Sequence, residues 1–151
     1  MTWTPHATVA VVVEKDSKFL LVKERSHGEI VFNQPAGHVE EGESILDAAI
    51  RETLEESGWE VELESVIGLY TYKAPANGVT YYRICFSAKA IQKVSDELDS
   101  DIISEHWLTY DEVTAIENQL RSPLVKRCID DFRDNRRYPL SIIYETPAAK
   151  I

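Results

Sequence analysis

The stretch SILDAAIRETLEESG, residues 44–58, constrains the fold more than any other part of the chain. Its two ends and its middle agree on one helix. Ser44 is placed to cap the N-terminus, with Asp47 three residues later in the manner of a capping box. Gly58 is placed for a left-handed C-terminal cap. Between them Ile45, Leu46, Ala49, Ile50, Thr53 and Leu54 recur at helical spacing and predict a stripe that packs on a sheet. Ala48, Glu52, Glu55 and Glu56 form the other, outward face. Three like charges in i,i+3 and i,i+4 relation oppose the helix by roughly 0.2–0.5 kcal/mol per pair. They also crowd the negative end of the helix dipole, where an exposed acid costs about 0.3–1 kcal/mol more. Arg51 offsets part of this by reaching Glu55 four residues on, in the poorer of the two orders. Such a face is either an ordinary solvated acidic surface or a seat for something cationic.

The remaining segments supply a sheet for this helix. ATVAVVVEK (7–15) is valine-rich and reads as a buried strand, and FLLVKER (19–25) follows after a short turn as its hairpin partner. GEIVFNQPAGHVEEGES (28–44) reads as a short strand running into a long loop marked by Pro35, Gly37 and Gly42. Residues 60–74 and 78–91 read as two long strands joined by a turn at 75–77, and 105–110 as a short one. Asp111 is placed to cap a short helix. Ser122, with Pro123 at the first helical position, opens a longer helix over about 122–137. The tail 138–150 reads as extended or disordered. A chain of 151 residues with this order predicts one domain, 1–151, folded as an α/β sandwich around a mixed β-sheet.

Charge narrows the partners. There are 26 acidic against 16 basic residues, a formal net charge of −10. Nucleic-acid phosphates repel such a chain unless its cations cluster. The one basic run, RDNRR at 133–137, sits beside Asp130, Asp131 and Asp134 and reads as a solvated helix end. No apolar stretch approaches bilayer-spanning length, and the N-terminus lacks a basic start followed by a signal-length apolar segment. Cys85 and Cys128 read as buried or idle thiols rather than a disulfide or metal pair. The expectation is a soluble, cytoplasmic protein with a small-molecule partner, no nucleic acid and no membrane; nothing in the sequence marks its oligomeric state.

Loop and helix together read Gly37-x5-Glu43-x7-Arg51-Glu52-x2-Glu55-Glu56-x-Gly58. This pattern resembles the box of the Nudix hydrolases, which cleave phosphoanhydrides of nucleoside and related diphosphates with a divalent metal. The resemblance implies the Nudix fold, an α/β/α sandwich around a mixed sheet, with the catalytic loop and helix at 37–59. It implies Mg²⁺, with Mn²⁺ as an alternative, bound by Glu52, Glu55, Glu56 and the backbone carbonyl of Gly37. Glu55 or Glu56 would also serve as the base for water. Arg51 and Glu43 would hold the loop and orient the ligating acids, and Gly58 would be structural. The physical logic agrees, because Mg²⁺ favours a few carboxylates, waters and substrate phosphates over a closed protein cage. Thr53 and Trp59 stand where the box usually carries aliphatic residues, and Ala36 stands where a glycine often precedes it. None of the three removes a ligand.

Beyond the box, FNQPAGHVE (32–40), DSDI (99–102), RSPLV (121–125) and RRYPLSII (136–143) resemble, in order and spacing, the bacterial NudJ phosphatase subgroup. That likeness implies a nonspecific nucleoside tri- and diphosphatase releasing single phosphates, active also on hydroxymethylpyrimidine diphosphate, a thiamine precursor. Two alternatives share the fold: a pyrophosphohydrolase of dinucleoside polyphosphates or oxidised nucleotides, and a noncatalytic nucleotide or metabolite sensor, though a sensor would be expected to lose box acids. Substrate contacts are open. Phe32 and Tyr72 could stack a base or fill the core. Arg83, in an apolar strand, needs an anionic partner, either a phosphate or a box acid. Arg25 could reach phosphate or sit in solvent. His38 lies beside the metal loop as a hydrogen-bonding residue or a ligand. Glu105 is a base from a distant segment or a strand-edge salt bridge.

Overall fold

The run Val9–Val13 fixes the centre of the molecule: its five side chains are at most 2% exposed. The computed structural model describes residues 2–147. In chain order the elements are β1 (His6–Lys15), β2 (Lys18–Ser26), β3 (Glu29–Asn33), β4 (Ala36–His38), α1 (Ile45–Ser57), β5 (Trp59–Lys73), β6 (Thr80–Lys93), β7 (Ile102–Thr109), α2 (Tyr110–Ala115) and α3 (Pro123–Arg133). Successive side chains of a strand point to opposite faces, and both faces of β1 are covered. Val9, Val11 and Val13 pack with Ala48 and Ala49 of α1. Ala10 and Val12 pack with Val125, Cys128, Ile129 and Phe132 of α3. A strand buried on both sides reads as a continuous apolar run rather than an alternating one, which is why VAVVV looks as it does.

β1 runs parallel to β6 and antiparallel to β2 and β4, while β2 is flanked by β3 and β7 and β6 by β5. The parallel pairing of β1 with β6 among antiparallel neighbours makes the sheet mixed, and the helices on its two faces complete the α/β sandwich. The register of β4 on β1 sets Gly37 opposite Val9 and His38 opposite Thr8. This brings the loop against α1. The segment after β6 is tied to the other end of that helix: Val94 N donates to the Gly58 carbonyl at 2.8 Å and Asp99 N to the Glu55 carbonyl at 3.0 Å.

The helix ends of α1 form as expected. The Ser44 side chain accepts from Asp47 N, and Gly58 adopts φ 77°. The stripe is rotated from the expected one. Leu54 is exposed, whereas Ala48, Ala49, Thr53 and Glu56 are buried. The face bearing Glu52 and Glu56 therefore turns inward along β4 instead of outward, because the loop is pinned by β1 on that side.

Other boundaries shift for local reasons. The long loop contains β4. Thr109, not Asp111, caps α2, forming a full capping box with Glu112. α3 stops at Arg133, short of 137, because Asp134 caps it and Asn135 takes φ 62°. The tail is ordered through 147. Val66 and Tyr138 exchange two backbone hydrogen bonds of 2.8 Å, Leu140 and Ile143 pack on the α1 side, and Glu145 Oε2 accepts from Ile45 N at 2.9 Å, capping α1 from a hundred residues away. Residues 148–150 of that segment lie outside the described residues.

A side chain at Gly58 would face two obstacles. Its backbone is left-handed, and a Cβ would lie 1.9 Å from the Ser95 carbonyl oxygen. Gly28 has a similar φ of 79° with open space around it. Gly58→Ala is expected to destabilise by more than the about 1–3 kcal/mol that left-handed strain alone costs, and Gly28→Ala to stay within that range, as read by urea unfolding of both variants. Equal losses would show that the segment carrying Asp99 yields freely.

Candidate active site

Arg51 organises the loop–helix junction. Its Nε donates to Glu43 Oε2 at 2.6 Å and its Nη2 to Glu43 Oε1 at 2.9 Å, a two-pronged grip on the loop. Nη2 also donates to the His38 carbonyl at 3.1 Å, and Nη1 to Glu52 at 2.7 Å and to Glu55 at 3.2 Å. Charge-assisted, two-pronged bonds of this kind are strong and directional. They hold the Glu43 carboxyl below its usual range and raise the already high proton affinity of Arg51. Glu43 is further fixed by accepting from Glu40 N at 3.0 Å.

One guanidinium cannot neutralise all the acids around it. Oxygens of Glu52, Glu56 and Asp99 lie within 4.8 Å of one another. Glu56 is 9% exposed and accepts one hydrogen bond, from Ala36 N at 3.0 Å. Burial, which that hydrogen bond only partly counters, raises its carboxyl to about 9, with Glu24, Glu52 and Asp99 adding like-charge repulsion. Burial likewise raises Glu52 against the pull of Arg51, and raises Asp99, with Glu55 and Asp101 adding to it. Asp99 enters from the turn before β7 and is absent from the sequence-derived ligands; its signal is the acid pair of DSD at 99–101. Glu55 stands at the rim, its side chain 38% exposed, held by Arg51.

Glu52, Glu56 and Asp99 line a cleft of about 300 Å³ that also includes Glu24, Arg25 and Asp101. Ala36, Gly37, His38 and Arg121 form a shared wall with a second cavity of about 200 Å³, which contains Thr8, Tyr72, Tyr81 and Arg83. Arg25 is thus at the acidic cleft, Tyr72 and Arg83 are in its neighbour, and His38 borders both. His38 Nε2 lies 2.9 Å from His6 Nδ1, a hydrogen bond that needs at least one neutral ring. Burial, then the charges of His6 and Arg121, lower its pKa. Two candidates lie elsewhere. Glu105 accepts from Trp59 Nε1 at 2.6 Å and pairs with Lys93, so its oxygens are engaged in a strand-edge salt bridge rather than in the cleft. Phe32 packs against the α3-side core and edge-on to His106.

The donor set fits a divalent cation. It is all oxygen, the preference of hard metals, and its acids are packed where at least one must bind a proton or share a cation. Gly37 is shaped to the same end: a Cβ there would lie 2.2 Å from the Glu52 carboxyl carbon, so only glycine lets the loop backbone meet that carboxylate. The raised groups lose stability as pH climbs, since each is protonated in the fold at pH values where the unfolded chain is ionised. In chelator, the unfolding temperature is therefore expected to fall between about pH 5 and pH 9, the window from ordinary carboxylates to Glu56 at about 9. Glu56→Gln, which keeps the acceptor for Ala36 N, should flatten that slope. Divalent metal should restore more stability at pH 9 than at pH 6. A flat wild-type profile in chelator would contradict this electrostatic picture.

Comparison with known proteins agrees with this geometry. Residues 4–128 match the NUDIX domain. Phosphatase NudJ of Escherichia coli K12 is 38% identical over 140 residues, covering 92% of this chain and 90% of that protein. A NUDIX hydrolase from Nitrosomonas europaea superimposes with a TM-score of 0.92 at 43% identity, covering 95% of this chain and 98% of the other. A MutT NUDIX hydrolase from Burkholderia pseudomallei shares the fold, with a TM-score of 0.73 at 18% identity over 85% of this chain and 98% of its own. With two acids of the box helix and Asp99 converging in one cluster, the chain belongs to the Nudix hydrolases, metal-dependent enzymes that cleave phosphoanhydrides.

Proposed function

We propose that this enzyme is a broad phosphatase of nucleoside tri- and diphosphates, releasing single phosphates, with hydroxymethylpyrimidine diphosphate as a further substrate. The observation that carries the reading is the convergence of Glu52, Glu56 and Asp99 in one cleft. The extent of the likeness to Phosphatase NudJ, 92% of this chain, supports the narrower substrate class.

Glu52, Glu56, Asp99 and the Gly37 carbonyl would hold Mg²⁺ or Mn²⁺, and Glu55 stands outside that group. Bound there, the metal would supply charge neutralisation at the phosphate and activation of water. The protein's own groups do the rest. Arg51 keeps Glu52 and Glu55 fixed relative to the loop. Outer partners of this kind orient metal-binding acids. The hydrogen bond from Ala36 N holds the buried Glu56. Glu55, outside the tight cluster and open to solvent, accepts the proton of the attacking water at its carboxylate. Arg25 at the cleft edge faces the incoming phosphate.

The test is turnover with Mg²⁺ of ATP, ADP, GDP, a diadenosine polyphosphate and hydroxymethylpyrimidine diphosphate, with phosphate and pyrophosphate measured separately. Single-phosphate release from several compounds is expected. Glu55→Gln should lower kcat by about 10²–10⁴ if it is the base, with Mg²⁺ affinity nearly kept. Asp99→Asn should instead raise the Mg²⁺ requirement. Release of pyrophosphate, or of mononucleotide from the diadenosine compound alone, would overturn the phosphatase assignment in favour of a pyrophosphohydrolase. Tight binding of one compound without turnover would indicate a sensor.

A further inference from the structure

Beside the acidic cleft lies a cavity of opposite character. It holds Arg83, and none of its described lining residues is an acid, in a chain that carries 26 of them. Arg83 Nε and Nη1 are buried and have no hydrogen-bond partner among the described residues. Thr8, its register partner on the neighbouring parallel strand, is 6% exposed, and its hydroxyl is likewise unpartnered. The two side chains project from the same face of the sheet, since paired residues in a ladder point the same way. Arg121 stands at the junction of the two cavities but is committed to Glu24 at 2.9 Å. Arg83 is therefore the cation whose donors are buried in the cavity without a partner.

We propose that Arg83, assisted by the Thr8 hydroxyl, is a specificity-determining residue that holds a second phosphate of the substrate while the first occupies the acidic cleft. The reading favours a phosphate over a heterocycle on grounds of charge. A guanidinium with two donors buried and unpartnered is best offset by a full negative charge, and a ring carbonyl leaves the charge uncompensated. It also rules out a box acid as the partner, since Glu52, Glu55 and Glu56 make no ion pair with Arg83 and engage Arg51 or Ala36 instead. Asn33 Oδ1 in the same cavity is an unpartnered acceptor, its amide nitrogen being turned to Glu24 at 3.2 Å. It suits a substrate hydroxyl rather than the phosphate. A residue that grips phosphate rather than base gives an enzyme that tolerates many organic groups so long as two linked phosphates are present.

This inference rests on the phosphohydrolase reading of the adjoining cleft, so the experiment separates the two. Wild type, Arg83→Gln and Arg83→Lys are compared for Mg²⁺-dependent turnover of ADP and inorganic tripolyphosphate. The same proteins are then melted in chelator with tripolyphosphate or adenosine. Arg83→Gln should raise KM for both substrates by about 10–100-fold, the usual loss for a hydrogen bond to a charged group, with kcat little changed. Arg83→Lys should recover part of it. Tripolyphosphate should stabilise wild type and not Arg83→Gln; adenosine should stabilise neither. Unmoved KM with a lowered unfolding temperature would make Arg83 a structural group and overturn the proposal. So would a KM rise for ADP alone, or stabilisation by adenosine that Arg83→Gln abolishes, because the cavity would then read the organic part. If Arg83→Gln fails to fold, the partial KM rise in Arg83→Lys decides. If wild type turns over nothing, the phosphohydrolase reading falls, and the melts in chelator still judge Arg83.

Discussion

The site depends on a shortage of positive charge. Arg51 is the cation bound to the box acids, and its donors go to Glu43, Glu52, Glu55 and the His38 carbonyl. That network is rigid, and it is also insufficient. Glu56 and Asp99 lie beyond it, close to Glu52, where ionised carboxylates repel one another and Glu56 is buried from water. A fold that tolerates such a cluster gives up stability locally to keep a strong, preformed seat for a divalent ion. Strain held at a functional site and supported by the surrounding structure is the general pattern.

The architecture exists to bring those acids together. Three parts of the chain meet: the loop through Gly37, α1, and the segment bearing Asp99. Each is fixed by backbone bonds rather than by the acids themselves. β4 pairs with β1, Asp99 N bonds to the Glu55 carbonyl, and Gly58 closes α1 against the segment after β6. Glu145 caps the front of the helix from the tail. Repulsion among the carboxylates is therefore borne by the sheet and both helix ends, and the cluster survives without falling apart into solvent.

Much of this was legible in the sequence, for identifiable reasons. Helix caps are local, so Ser44 and Gly58 could be read directly, and the box acids follow from spacing on one helix. The valine run announced a buried strand. What escaped is non-local. Asp99 joins the cluster through a contact between segments with no shared period. The inward turn of Glu56 and the exposure of Leu54 depend on where β4 lies, and the pattern of α1 alone cannot say so. For Glu105 the sequence left a base and a strand-edge salt bridge open, and Lys93 and Trp59, far away in the chain, decide for the salt bridge. The tail lacked periodicity, yet Tyr138 and Glu145 find partners far away in the chain.

The central claim is that Glu52, Glu56 and Asp99 are jointly satisfied by a metal ion. A crystal structure of the protein soaked with Mn²⁺, with the ion located by its anomalous scattering, tests this most directly. The ion is expected among those three carboxylates, with the Arg51–Glu43 pair intact. An ion bound instead at the solvated loop acids Glu40 and Glu41, with the three carboxylates left bare, would contradict it.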